Sequence, residues 1–217
     1  MKKTLYYPVM LNLQDKKCIV FGGGEVALRK VKMLRDFGAE VTVISPALCP
    51  GLAGLADRKA INALRRDYQP GGLKGAFIAI AATDDRDINT AIASEARELG
   101  VLVNVVDVPE LCDFIVSAYV RRGDVTIAVS TAGKSPALAR KIRARLEQEF
   151  GEEYAALAQL VGDVRSELKE LNIRVESDVW QEALDLDLLI ALLKKGEAGK
   201  ARAILLNSLK TTGGVGR

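Results

Sequence analysis

Residues 17–30 read KCIVFGGGEVALRK, and this stretch decides the fold. Its first five residues are apolar apart from one lysine, which is typical of a short buried strand. Three glycines, residues 22–24, follow at once, and beyond them apolar residues recur through Leu34 at the spacing of one helix face. A strand, a tight glycine turn and a helix predict the first half of a β-α-β unit.

The alternation of strand and helix continues to about residue 106. Further strands are predicted at 40–44, 62–67, 75–82 and 101–106. A helix that runs to Leu99 separates the last two strands. We expect the Leu99 side chain to face inward. Strands that are apolar throughout are typical of parallel sheets covered on both faces. The sequence therefore predicts an α/β fold with a Rossmann-like, doubly wound parallel sheet.

The pattern changes after Pro109. Residues 114–120 and 124–130 predict an antiparallel hairpin. Ser135 then suits the cap of a helix, and from residue 151 the pattern is helical throughout. We therefore predict three domains: the α/β domain over 1–112, an α+β domain of hairpin and helix over 113–150, and a helical domain over 151–217.

The composition excludes several kinds of site. The chain has 217 residues, 31 Lys plus Arg, 28 Asp plus Glu and no histidine. A His-based catalytic triad, a His-containing zinc site and a proximal-His haem are therefore excluded. The net charge of +3 does not indicate nucleic acid, and a small anionic ligand would be compatible with it. The cysteines, Cys18, Cys49 and Cys112, are too far apart to predict a disulfide framework or a thiolate metal site.

The sequence also bears on the expected compartment. No apolar run approaches the roughly 18 residues that a membrane span needs. The positively charged start followed by apolar residues imitates a signal peptide, but Pro8 and Asn12 interrupt it. We therefore expect a cytoplasmic protein that contacts no membrane, no nucleic acid and no resident metal.

Residues 22–27 fit the pattern G-x-G-x-x-A after a strand and at a helix start. Glycines such as Gly22 and Gly24 let the backbone approach a pyrophosphate, whose charge the helix N–H groups bind. The pattern therefore predicts a dinucleotide site. The acid that usually follows the second strand and binds the ribose is absent, because residues 45–47 are Ser, Pro and Ala. We assign that role to backbone groups and the Ser45 hydroxyl, and the choice between NAD and NADP stays open.

Ligands of open α/β sheets bind outside the carboxyl ends of the strands. This rule adds residues 83–85 and 104–107 to the site. Thr83 either contacts the cofactor or belongs to a helix cap. Asp107 interrupts an apolar strand end and cannot cap a helix before Pro109, so we interpret it as a functional acid; the alternative is a turn-forming role.

Five stretches occur in order over about residues 5–150 and together resemble the precorrin-2 dehydrogenase family of sirohaem biosynthesis. They are Tyr7-Pro8 with residues 11–13, GGGEVALRK at 22–30, AATDD at 81–85, NVVD at 104–107 and GKSPALAR at 133–140. The resemblance implies NAD-dependent oxidation of precorrin-2 to sirohydrochlorin by a homodimer whose dimerisation domain is 113–150. It implies that Asp107 is catalytic and that Glu25, Val26, Pro46 and Ala47 contact the dinucleotide.

Precorrin-2 is a polycarboxylate, and the loop at 131–135 offers hydroxyls, a cation and N–H donors at a helix start. The expected substrate contacts, from position and charge alone, are Asn104, Thr131, Lys134, Ser135 and Arg140. Ser135 is first of all the helix cap, because the chain has no G-x-S-x-G elbow and no histidine to activate a serine.

Two other functions stay open. Some members of the family also insert ferrous iron into sirohydrochlorin, and Asp107 would then accept a pyrrole proton. A regulatory module that senses dinucleotides would share the glycine turn. Such a module would ordinarily carry an acid after the second strand or a DNA-binding helix pair, and the sequence indicates neither.

Overall fold

A computed structural model describes residues 5–212. The chain divides into two compact units, Met1–Val116 and Ser117–Arg217, which are described separately. The first boundary of the three predicted domains lies close to this division. The separation of a dimerisation domain from a helical domain stays a prediction.

The first unit is built on one parallel sheet. Its five strands are in the order β3-β2-β1-β4-β5, and all neighbouring pairs are parallel. The strands are β1 (Lys17–Phe21), β2 (Glu40–Ile44), β3 (Asn62–Leu64), β4 (Ile78–Ala81) and β5 (Leu102–Val105), and the helices are α1 (Glu25–Asp36), α2 (Pro50–Asp57) and α3 (Arg86–Leu99). This order, with its reversal between β1 and β4, confirms the doubly wound Rossmann-like fold.

Helices cover both faces of the sheet. Val31 and Leu34 of α1 belong to the core on one face, and Ile92 and Ala96 of α3 belong to the core on the other. The prediction that Leu99 faces inward is wrong, because its side chain is 51% exposed. The chain reverses at Gly100 in a left-handed conformation, Val101 N–H bonds to Ala96 O at 2.8 Å, and Val101 is buried instead.

The second unit starts with the predicted hairpin. Strands β6 (Ala118–Arg122) and β7 (Val125–Val129) are antiparallel, and five helices follow as far as residue 212. These helices are α4 (Pro136–Glu149), α5 (Glu153–Glu170), α6 (Ser177–Ala183), α7 (Leu186–Lys194) and α8 (Ala198–Thr212). Ala139 of α4 is buried, whereas Leu138 and Ile142 are 51% and 38% exposed. The helical C-terminal region is as expected, and α4 presents apolar side chains to solvent.

Cys18 on β1 makes the stability of the first unit depend on alkaline pH. The side chain is fully buried, and this burial raises the pKa of its thiol from 9.0 to about 11. The unfolded chain therefore loses this proton at lower pH than the folded chain. The stability linked to the neutral thiol is complete below pH 9 and is lost as the pH rises to about 11.

We expect this linkage to lower the free energy of unfolding by about 2 kcal/mol between pH 8 and pH 11. Urea unfolding followed by circular dichroism at the two pH values measures it. Other groups titrate over the same range, so Cys18→Val, which removes only this thiol, is the matched control and should lose less stability. An equal loss in both proteins would contradict the assignment.

Candidate functional site

The glycine turn between β1 and α1 is shaped by close backbone contacts. Gly22 has a φ of +117°, and a Cβ there would lie 2.2 Å from the carbonyl oxygen of Ala82. A Cβ on Gly23 would lie 1.7 Å from the carbonyl oxygen of Ala47. Gly24 differs, because nothing lies within 4 Å of a Cβ built there. The first two glycines are thus needed for packing, and the third leaves space open at the start of the helix.

The N-terminus of α1 is available to an anion. Gly24 is its N-cap and makes no side-chain capping bond, and no side chain between residues 5 and 212 occupies the N–H groups of the first turn. These N–H groups and the positive end of the helix dipole attract negative charge. The turn therefore fits the pyrophosphate of a dinucleotide.

The segment after β2 lies against this turn. The Ser45 hydroxyl donates to the carbonyl oxygen of Ala47 at 2.8 Å, and Cys49 N–H donates to the carbonyl oxygen of Gly23 at 2.7 Å. The proton of the Ser45 hydroxyl is thus used within the loop. The assignment of Ser45 to a ribose stays a prediction that rests on its free acceptor capacity.

A cavity of about 450 Å³ opens beside the glycine turn. Its size is within the range of ligand sites. It brings together most of the residues expected at the cofactor, although Ala47 is not among its lining. The lining comprises Phe21, Gly22, Gly23, Gly24, Glu25, Val26, Ile44, Ser45, Pro46, Asp67, Tyr68, Ala82, Thr83, Asp84, Asp85 and Ile88.

The loop after β4 is fixed by its own polar groups. The Thr83 hydroxyl lies 2.8 Å from Oδ1 of Asn89, and Nδ2 of Asn89 donates to the carbonyl oxygen of Thr83 at 2.9 Å. Asp85 caps α3 by accepting from the N–H groups of Asp87 and Ile88. Asn89 was not predicted from the sequence, although a polar residue on the inner face of α3 was a signal for it. Thr83 lines the cavity, and its hydrogen bonds with Asn89 also fix the loop that forms the cavity wall.

A second cavity, also about 450 Å³, continues along the same loop toward the end of β5. It shares Val26, Ala82, Thr83 and Asp84 with the first cavity. Asp107 lines it. The two cavities together form a cleft along the carboxyl ends of the strands, as expected for this fold.

Asp107 sits in an exposed turn with a left-handed φ of +60°. This conformation is uncommon outside glycine, and Asp and Asn adopt it more readily than most residues. No hydrogen bond or ion pair engages its carboxylate within residues 5–212. The side chain is therefore free to meet a ligand in the second cavity.

Cys112 and Lys30, which were not predicted from the sequence as site residues, lie near Asp107. The Cys112 thiol lies 3.1 Å from the carbonyl oxygen of Val105 and 3.3 Å from that of Val108, so it bridges both ends of the turn. Burial raises the pKa of this thiol and keeps it a donor. Burial lowers the pKa of Lys30 on α1, and the charge of Asp107 acts in the opposite direction. The charges of Lys30 and Asp107 thus lie close enough to interact.

Asn104 does not line either cavity. Its side chain is 7% exposed, and Nδ2 donates to the carbonyl oxygen of Phe114 at 3.0 Å. This bond ties β5 to the segment that leaves the sheet. The proposed substrate contact at Asn104 stays a prediction, and the structure gives its amide another partner.

The remaining predicted substrate residues belong to the second unit. Ser135 caps α4, because its Oγ accepts from Leu138 N–H at 3.1 Å. Thr131 Oγ1 accepts from Ser135 N–H at 3.0 Å and closes the loop. Lys134 and Arg140 are exposed and pair with no carboxylate in the described part of the chain. Both cations are free to bind an anionic ligand.

None of the helices between residues 5 and 212 is long and apolar enough to cross a membrane. Within the same range, no group of three or more Cys, Asp or Glu side chains is arranged to hold a metal ion.

Curated relatives of the chain are siroheme synthases. Those of Thioalkalivibrio sulfidiphilus and Methylococcus capsulatus are 41% and 40% identical over 95% and 94% of this chain. The aligned regions make up 42% and 43% of those proteins, so the chain spans less than half of their length.

A solved structure of SirC, precorrin-2 dehydrogenase, matches 94% of this chain and 100% of its own, with a TM-score of 0.68. At 24% identity, this likeness shows the fold.

Two family models match in succession. The NAD(P)-binding model covers residues 9–118, slightly more than half of the chain. The model of the central region of sirohaem biosynthesis proteins covers residues 122–149. The chain therefore belongs to the NAD(P)-binding family that the first model describes, and it carries the central region of sirohaem biosynthesis proteins directly after that domain.

Proposed function

We propose that this chain oxidises precorrin-2 to sirohydrochlorin, with NAD as the oxidant, in the cytoplasm. The observation that carries the proposal is the continuous cleft in which a glycine turn built for a pyrophosphate adjoins the free carboxylate of Asp107. The names of the related proteins support it. When bound, the nicotinamide supplies the hydride acceptor, so the protein itself needs only to bind, orient and move protons.

The residues of the first unit divide this work. The backbone at Gly22, Gly24, Glu25 and Val26 binds the pyrophosphate, and residues 45–47 lie where the adenosine half would bind. Asp107 accepts the proton that the substrate loses with the hydride. The ammonium of Lys30 on α1 adds a positive charge near this carboxylate.

The cations of the second unit bind the substrate. Precorrin-2 carries several carboxylates, which Lys134 and Arg140 would bind by charge-assisted hydrogen bonds, with Asn104, Thr131 and Ser135 as the remaining predicted contacts. We further propose that the chain is a homodimer. The exposed apolar side chains of Leu138 and Ile142 on α4 support an interface there.

We expect the purified protein to convert precorrin-2 with NAD into sirohydrochlorin and to form about one NADH for each product. Anaerobic absorption spectra measure the product, and absorbance at 340 nm measures NADH. A reaction without NAD is the control for spontaneous oxidation. Formation of sirohydrochlorin at the control rate would overturn the proposal.

Insertion of ferrous iron is the second candidate, and the free carboxylate of Asp107 favours it, since metal insertion must remove pyrrole protons. Addition of ferrous or cobaltous ion to verified sirohydrochlorin tests it. A spectral change no faster than without protein would exclude this activity. A sensor of dinucleotides is less well supported, because it would not need the central region that the second family model describes.

A further inference from the structure

The segment after β2 contributes no carboxylate to the cofactor cavity, but the segment after β3 contributes that of Asp67. In dinucleotide-binding domains of this fold, an acid after the second strand commonly binds the ribose of the adenosine half. Here the residues after β2 are Ser45, Pro46 and Ala47, and the Ser45 hydroxyl proton is bound by Ala47. The Ser45 oxygen can still accept a hydrogen bond, but the segment after β2 offers the ribose no carboxylate.

The neighbouring strand brings such an acceptor to the same place. β3 pairs with β2 in parallel, with Ile44 opposite Leu64, and Ser45 N–H donates to the carbonyl oxygen of Leu64 at 3.1 Å. The chain after Leu64 therefore runs beside the start of the β2–α2 loop. Asp67 follows and lines the cavity together with Ser45 and Pro46.

Tyr68 fixes the backbone at Asp67. Its ring packs edge-on against Phe21 with centroids 5.5 Å apart, and its hydroxyl donates to Glu95 at 2.6 Å. The other oxygen of Glu95 accepts from the N–H groups of Gly71 and Leu73 at 3.0 Å. The contacts of Tyr68 and Glu95 thus fix the segment that places Asp67 at the cavity wall.

The Asp67 carboxylate is available to a ligand. Arg66 donates from Nη1 to the carbonyl oxygen of Asp67, not to its carboxylate. No other bond to that carboxylate occurs in the range 5–212. Arg65 and Arg66 could attract a phosphate, but neither side chain lines the cavity.

We propose that Asp67, supplied by β3, binds the adenosine ribose in place of the missing acid after β2 and makes this chain prefer NAD to NADP. The inference rests on the proposed use of NAD and names the residue that selects it. The carboxylate accepts a hydrogen bond from the 2′-hydroxyl of NAD. The 2′-phosphate of NADP offers no such donor and is repelled by the negative charge.

Direct titration with NAD and with NADP tests the proposal without precorrin-2, so its outcome is independent of the dehydrogenase assay. We expect the unmodified protein to bind NAD at least about 100-fold more tightly than NADP. Asp67→Asn should weaken NAD about 10-fold and reduce the preference by at least that factor, since a hydrogen bond to a charged group contributes about this much. Asp67→Arg should bind NADP more tightly than the unmodified protein does.

Asp57→Asn is the matched control, because Asp57 is an exposed carboxylate of the first unit that ends α2 and does not line the cavity. It should leave the ratio of the two affinities unchanged. Thermal unfolding of each variant checks that the fold is intact. Equal or tighter binding of NADP by the unmodified protein, or an unchanged ratio in Asp67→Asn, would overturn the proposal.

Discussion

Asp107→Asn should lower kcat for precorrin-2 oxidation by about 10²- to 10⁴-fold, which is the usual contribution of a positioned proton acceptor. Asparagine keeps the size of the side chain and tolerates the left-handed φ of +60°, so the turn should stay as it is. The pyrophosphate site is formed by other residues. The affinity for NAD, measured by titration, should therefore stay within about two-fold of the unmodified value, and the loss should appear in kcat.

Asp15→Asn is a matched control for this substitution. Asp15 is also an exposed aspartate with a positive φ, +58°, and it precedes β1, at the end of the sheet opposite the cleft. The same chemical change there should leave kcat within about two-fold.

A second variant, Asp107→Gly, relieves any backbone strain and removes the carboxylate. It should be as slow as Asp107→Asn. Full activity in either Asp107 variant would show that another group accepts the proton.

The sheet could be predicted closely because its signals are local. β1 and β2 have the predicted bounds, since each is a short apolar run between turn signals. β3 was predicted to reach residue 67 but ends at Leu64, because Arg66 N–H turns back to the carbonyl oxygen of Leu64. The helix α2 was missed, since its sequence contains two glycines; it forms because Leu52 and Leu55 are buried in the core.

The candidate site could be predicted in its position but not in its internal bonding. The strand-end rule collected the turn after β1, the loop after β4 and the end of β5, and parts of each of these segments line the two cavities. The rule could not show which polar side chains form hydrogen bonds within the protein and are therefore less available to a ligand. Ser45, Thr83 and Asn104 each have a partner within the first unit, and two of these partners are backbone carbonyls that a sequence does not distinguish. Asp67 was missed because its role depends on strand order, which brings β3 beside β2.

Gly23→Ala should nearly abolish dinucleotide binding and destabilise the first unit. The new Cβ would lie 1.7 Å from the carbonyl oxygen of Ala47 and 2.7 Å from Oγ of Ser45. The main contact is with backbone, so the β2–α2 loop must move and the bond from Cys49 to Gly23 is lost. We expect a loss of about 3 kcal/mol in the free energy of unfolding, at the upper end for overpacking, and NAD affinity reduced at least about 100-fold.

Gly24→Ala separates stability from binding. A Cβ there meets no atom within 4 Å, so the free energy of unfolding should change by less than about 1 kcal/mol. The added methyl group would nevertheless stand at the start of α1, where a pyrophosphate must approach the backbone closely. NAD affinity should therefore fall about 10-fold or more while urea unfolding stays near that of the unmodified protein. Unchanged NAD binding in Gly24→Ala would mean that the pyrophosphate does not approach the chain at this glycine.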